Sequence, residues 1–208
     1  MRNPAAFLLI AIVSLCCGTG EAREPVVGGP CEGCEYVFQG LPGKLESRSR
    51  MAPLKEPGEP MIIEGTVRSE DGKPAAGVIV YAYHTDARGI YPPAATRHGR
   101  LRAWARTGKD GRYRFDTIRP GAYPDGNNPQ HVHMHIIEPG KGTYYIDDIH
   151  FTDDPLLTAE RRQRMQRGRG GDGLSRPTKD SEGVWHAQRD IVLGRNVPGY
   201  EASKGHGR

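Results

Sequence analysis

Apolar and polar residues alternate with a period of two along several short runs of this chain, and Gly- and Pro-rich stretches separate the runs. That period puts successive side chains on opposite faces of a strand. It predicts strands over Met61 to Arg68, Val78 to Tyr83, Arg102 to Arg106 and Tyr113 to Phe115. Lys109-Asp110-Gly111 between the last two reads as a hairpin turn. His131 to Glu138 is a further strand, closed by Pro139-Gly140-Lys141-Gly142, with Tyr144 to Phe151 placed to pair next to it. Thr158 to Gln166 carries a short helical pattern, and Val184 to Leu193 reads as a final strand. Short strands at regular intervals with turn residues between them predict an all-β fold, an antiparallel β-sandwich over residues 59–200. An irregular N-terminal arm (23–58), a C-terminal loop extension and a flexible tail (201–208) complete the expected organisation.

Composition agrees with a turn-rich β domain. The 208 residues are 36% hydrophobic and include 28 Gly and 17 Pro. A net charge of +4 gives no ground for a nucleic-acid partner. The basic run Arg161 to Arg169 lacks interleaved aromatics and reads as a solvated loop. The N-terminus has the pattern of a signal peptide over residues 1–22. Arg2 is its positive end, Phe7 to Leu15 its short apolar core, and Ala22 its small residue at the cleavage point. Export to the periplasm or outside the cell is therefore expected. Membrane anchoring through Cys16 or Cys17 is disfavoured, because Leu15 is not the small residue a lipidated cysteine requires before it. In an oxidising compartment Cys31 and Cys34 are expected to form a disulfide. Gly29-Pro30 argues against a redox motif, and two cysteines alone do not complete a zinc site.

The candidate chemistry lies between Pro120 and His135. His131, His133 and His135 project from one strand face, at roughly 6.5–7 Å between successive Cα atoms. Neighbours at that spacing can share a metal ion and the outer pair cannot, so the candidate ligand pair is 131/133 or 133/135. The bland alternative is a polar solvent face. Tyr91, in Gly89-Ile90-Tyr91-Pro92-Pro93, and Tyr123, in Pro120-Gly121-Ala122-Tyr123-Pro124, stand in loops that leave strands. Phenolate oxygens with imidazole nitrogens suit ferric iron better than zinc or copper(I). The bland alternative for both tyrosines is ordinary turn packing.

From Thr66 to Leu157 the chain also resembles the intradiol ring-cleavage dioxygenase family, which includes the protocatechuate and catechol dioxygenases. The resemblance is carried by Gly65-Thr66-Val67, by Val80 through Tyr91, and by Gly108 through Pro124. It continues in Pro129-Gln130-His131-Val132-His133 and Asp153-Asp154-Pro155-Leu156-Leu157. The Cys31-Glu32-Gly33-Cys34 arm and the ending Arg189 to Gly194 are most similar to an exported bacterial branch. The resemblance implies a non-haem Fe(3+) centre ligated by Tyr91, Tyr123, His131 and His133. It implies a catechol-type substrate cleaved with O2, and Tyr123 as the ligand that leaves to act as a base. His135 then takes a variable place beside the ligands, as a group that supports them from behind or faces the substrate. One departure stands out. The family commonly carries an arginine between the second tyrosine and the first histidine, and here Asp125 to Asn128 and Gln130 fill that span. Arg97, Arg100, Arg102 and His135 are the candidates to replace it. Two other readings stay open: a non-catalytic, carrier-like binding module of the cell envelope, and a copper or zinc binder using the three histidines. A homo-oligomer is compatible with all of them.

Overall fold

The alternating runs form two facing sheets in the computed structural model, which describes residues 25–29, 31 and 33–200. The expected signal peptide and the tail lie outside the described residues. In chain order the strands are β1 (Arg48–Arg50), β2 (Pro60–Arg68), β3 (Ile79–Tyr83), β4 (Arg102–Arg106), β5 (Arg112–Ile118), β6 (His131–Glu138) and β7 (Gly142–Phe151). Helix α1 (Ala159–Met165) follows, and then β8 (Leu174–Ser175), β9 (Thr178–Lys179), β10 (Trp185–Gln188) and β11 (Ile191–Val192). One sheet has the order β1-β5-β2-β10-β9, with β11 also on β2, and the other runs β4-β3-β6-β7-β8. Met61, Ile63, Val67 and Phe115 of the first sheet meet Val80, Val132, Met134, Ile136 and Phe151 of the second in the main core. Helix α1 matches its expected span, with the Thr158 side chain accepting the Arg161 N–H at 3.3 Å.

Four expectations are corrected. The sheets are mixed, not strictly antiparallel: β1 on β5, β10 and β11 on β2, and β8 on β7 are parallel pairs. Parallel neighbours need long returns, and the arm and the C-terminal extension supply them. The arm is not wholly irregular. It contributes β1 and a 3-10 turn, Cys34–Phe38. Lys109-Asp110-Gly111 does not close a hairpin, since β4 and β5 belong to opposite sheets. The Gly111 carbonyl instead accepts the Val67 N–H and Thr107 donates its N–H to the Val78 carbonyl, which makes a corner of the sandwich. Finally, the run Val184 to Leu193 breaks into β10 and β11 at Arg189. Its carbonyl lies so close to Gly65 that a Cβ there would sit 1.9 Å from it.

Candidate metal centre

Strand β6 divides its side chains by chemistry. Val132, Met134 and Ile136 enter the main core, so His131, His133 and His135 face the other side of the sheet. That outer face is not left to solvent. Val37, Ile79, Tyr81, Tyr83, Trp104 and Ile137 form a second apolar cluster there, closed by Phe38, Leu41 and Leu45 of the arm. The Trp104 indole N–H fastens the arm by donating to the Val37 carbonyl at 2.8 Å. This cover is why the histidine row is a buried site and not a wet strand face.

The two tyrosines arrive on loops that are stitched backbone to backbone. Asp86 accepts the N–H groups of Arg88 and Ile90, and its carbonyl accepts the Gly121 N–H at 2.9 Å. Thr85 Oγ1 donates to the Gly121 carbonyl at 3.0 Å. Gly89, at φ 79°, is the tightest point. A Cβ there would lie 1.8 Å from the Ala122 carbonyl oxygen, so only glycine lets the Tyr91 and Tyr123 loops close on each other.

Their hydroxyls meet at 2.8 Å. Tyr91 Oη is also 2.8 Å from His133 Nε2, which is 3.1 Å from His131 Nε2. The tautomers follow from the far side of each ring. His131 Nδ1 donates to the Pro129 carbonyl at 2.7 Å and His133 Nδ1 to Asp148 Oδ1 at 3.0 Å. Each Nε2 therefore carries a lone pair, and the two lone pairs point at one another across 3.1 Å, with two phenol oxygens beside them. Four donor atoms with no proton to share among the nitrogens fit a cation between them. Burial, and then the Tyr123 hydroxyl, raise the Tyr91 phenol well above its ordinary pKa. Only a strong positive charge would ionise it. Burial first, and then His133, push His131 down to about 4, so its imidazole is neutral near neutrality.

Asp148 is the site residue that sequence reasoning missed. Between Val132 and Met134 the β6–β7 ladder slips, because β7 has one residue more than β6 between Ile146 and Ile149. This bulge aims the Asp148 carboxylate at His133. Burial opposes its charge, but attraction and hydrogen bonding from His133 hold it well below the usual carboxylate range. A carboxylate behind a ligating imidazole fixes its orientation and raises its basicity. The only sequence signal was an acidic pair inside an otherwise aromatic and aliphatic strand.

A cavity of about 860 Å³ opens in front of Tyr91, Tyr123 and His133. Among the four residues considered as replacements for the missing arginine, Arg97 and His135 line it. Arg100 is instead paired with Glu56, and Arg102 lies over the Trp104 ring. His135 is pushed down to about 3 by burial and then by His98, so it offers the cavity a neutral imidazole and no charge. Arg97 brings a guanidinium to the cavity wall, as do Arg164 and Arg167, which the sequence reading assigned to a solvated loop.

The buried histidines outside the ligand set have a consequence in acid. His84 and His98 are lowered to about 4, and His135 to about 3, from 6.5, in each case chiefly by burial. The unfolded chain takes up these protons first. Stability is thus fully present above pH 6.5 and falls as the pH drops toward 4, by up to about 1.4 kcal/mol per pH unit for each group. Thermal unfolding followed from pH 7 to pH 4 should show this decline, and His84→Gln should flatten it.

Comparisons with known proteins give the family. The family model described as Dioxygenase matches residues 31–168. A catechol 1,2-dioxygenase of Acinetobacter lwoffii is 35% identical over 160 residues, covering 66% of this chain and 51% of its own length. The protocatechuate 3,4-dioxygenase beta chain of Burkholderia cepacia is 34% identical over 114 residues, covering 48% of each. The chain thus spans about half the length of these relatives. Among solved structures, the dioxygenase domain of a dioxygenase–carbohydrate-binding protein fusion from Streptomyces sp. SirexAA-E superposes with a TM-score of 0.58. It is 22% identical, over 83% of this chain and 98% of that one, a likeness of fold.

Proposed function

Because the chain belongs to the intradiol ring-cleavage dioxygenase family, we propose that it cleaves a catechol-type ring between its two hydroxylated carbons. It does so with O2 and a ferric ion held by Tyr91, Tyr123, His131 and His133. The observation that carries this reading is the meeting of two phenol oxygens with two imidazole nitrogens whose protons are engaged elsewhere. A ferric ion in that place supplies Lewis acidity and draws electron density from a bound aromatic diol. The chain's own residues do the rest. Asp148 keeps His133 turned toward the centre. Tyr91, which contacts both His133 and Tyr123, stays in position. Tyr123 is the base that takes a substrate proton at its phenolic oxygen. Arg97, on the cavity wall, faces the negative charge of the deprotonated substrate in place of the family's arginine. A carrier-like module has no use for four converging ligands. Export of the mature chain, resting on Arg2, Phe7 to Leu15 and Ala22, belongs to the same proposal.

Protein loaded with iron should hold one ferric ion per chain and absorb visible light through tyrosinate-to-iron charge transfer. Tyr91→Phe should shift that band. A colourless protein that retains zinc and not iron would sink the assignment. Arg97→Ala should keep the colour and lose roughly 10²-fold in turnover, the ordinary cost of one charge-stabilising donor. Steady-state oxygen uptake on catechols measures it.

A further inference from the structure

A second group of metal-ligating side chains stands across Tyr83 from the proposed iron centre. Tyr83 is stacked on His133 at 4.5 Å on one side and on His98 at 3.8 Å on the other. Beyond it lie Cys31 and Cys34, joined as a disulfide with Cα atoms 5.5 Å apart. Both sulfurs and a ring nitrogen of His135 fall within 4.8 Å of one another. His98 is only 3% exposed. Its Nδ1 is 2.8 Å from the Tyr81 hydroxyl, while its Nε2 has no hydrogen-bond partner among the described residues. That Nε2 faces the turn between the cysteines, since a Cβ on Gly33 would lie 2.5 Å from it. An imidazole held at one nitrogen by a polar partner, with its other nitrogen bare and set against the turn that joins two cysteines, has the form of a metal ligand.

A disulfide needs neither imidazole. A tetrahedral zinc does. With Zn–S near 2.3 Å and Zn–N near 2.0–2.1 Å, its ligands stand roughly 3.3–3.8 Å apart. Cys34 Sγ and His135 Nδ1 are already 3.8 Å apart. The two sulfurs have to part, and His98, outside the group of three that already lies within 4.8 Å, has to close in on them.

We propose that the reduced pair Cys31 and Cys34 joins His135 and His98 in a Cys2His2 site for zinc or a similar borderline-soft divalent cation. Reduction is thiol–disulfide exchange with a small dithiol. The protein S–S bond breaks, each sulfur gains one electron and one proton, and the dithiol leaves as its own disulfide. The cation then displaces both thiol protons. Thiolate ligands favour zinc over ferric iron, so the two centres on one strand face keep different metals. The disulfide closes a loop within the arm alone. A cation held by the cysteines and His135 would tie the arm to β6, two residues from His133.

The test uses iron-loaded protein reduced with dithiothreitol, freed of reductant without air, and titrated with Co2+. One equivalent should bind with a thiolate-to-cobalt charge-transfer band, which Zn2+ then displaces. The oxidised protein should show no such band. Zn2+ should also protect both thiols of the reduced wild-type chain from alkylation, a readout that requires no variant to fold. His135→Ala or His98→Ala should weaken binding at least ~10–100-fold, since even an outer partner of a metal ligand costs that much. The proposal is overturned if the reduced chain gives no thiolate band and no protection. It is also overturned if the band persists in the Cys31→Ser, Cys34→Ser double variant, or if the disulfide is reduced only when the chain unfolds.

Discussion

His133→Ala should leave a folded chain that keeps neither iron nor dioxygenase activity, and Asp148→Asn should give a graded version of the same loss. His133 stands at the middle of the cluster. Its Nε2 is within 3.1 Å of both His131 Nε2 and the Tyr91 hydroxyl, and its Nδ1 is held by Asp148. Truncation removes one of four donors and the group against which Tyr91 is set. The ring is partly exposed to the cavity, so the cost to folding is small beside the cost to metal binding. An asparagine in place of Asp148 would keep the size and one hydrogen bond but lose the charge. Outer partners of this kind typically cost 10–100-fold in metal affinity or activity. Iron content after dialysis and the intensity of the visible band should therefore fall in the order wild type, Asp148→Asn, His133→Ala. Equal iron in all three would show that His133 is not a ligand.

Arg189→Leu should be the most destabilising single change outside the site. The side chain is 1% exposed and donates to the carbonyls of Gly170, Asp172, Asp190, Asp147 and Arg169 at 2.7–3.3 Å. It is the knot that ties the C-terminal extension under β2 and behind the β7 bulge. Leucine would leave those acceptors buried, at about 1–3 kcal/mol for each one that finds no new partner. Part of this is offset because a buried cation is no longer desolvated. A net loss of roughly 3–5 kcal/mol is expected. For a chain of this size that is a fall of about 6–20 °C in melting temperature. Arg189→Lys should not rescue it, because an ammonium cannot reach five carbonyls from one place. Iron retention should fall as well, since the Asp147 carbonyl and the Asp148 carboxylate share the bulge.

The sheet-forming runs were legible because the period of two is strong wherever one face is buried. On β6 it correctly set Val132, Met134 and Ile136 against the three histidines. The pairing partners were not legible. Nothing local to Arg48–Arg50, Leu174–Ser175 or Ile191–Val192 reports which sheet a short segment returns to, so the parallel additions were missed. The turn at Lys109-Asp110-Gly111 has hairpin chemistry but serves as a corner, because its hydrogen bonds run to Val67 and Val78. The two tyrosines and the 131/133 pair were legible only as types in order. Their convergence depends on Gly89 and Gly121 letting two loops touch, which no spacing encodes. Asp148 was hidden because its role arises from a bulge. The neutrality of His135 was hidden because its burial is supplied by an arm about a hundred residues earlier in the chain.

Iron held for intradiol cleavage by four side chains from two loops and one strand is the function proposed for this chain. Product analysis under labelled dioxygen tests it most directly. Ferric protein is incubated with catechol, or with its hydroxylated and carboxylated derivatives, under 18O2, and the products are identified by mass spectrometry. The expected product is a cis,cis-muconate-type diacid that carries both labelled atoms. A ring-intact quinone, a semialdehyde cleaved outside the diol, or no product from any catechol while ferric iron remains bound would contradict it.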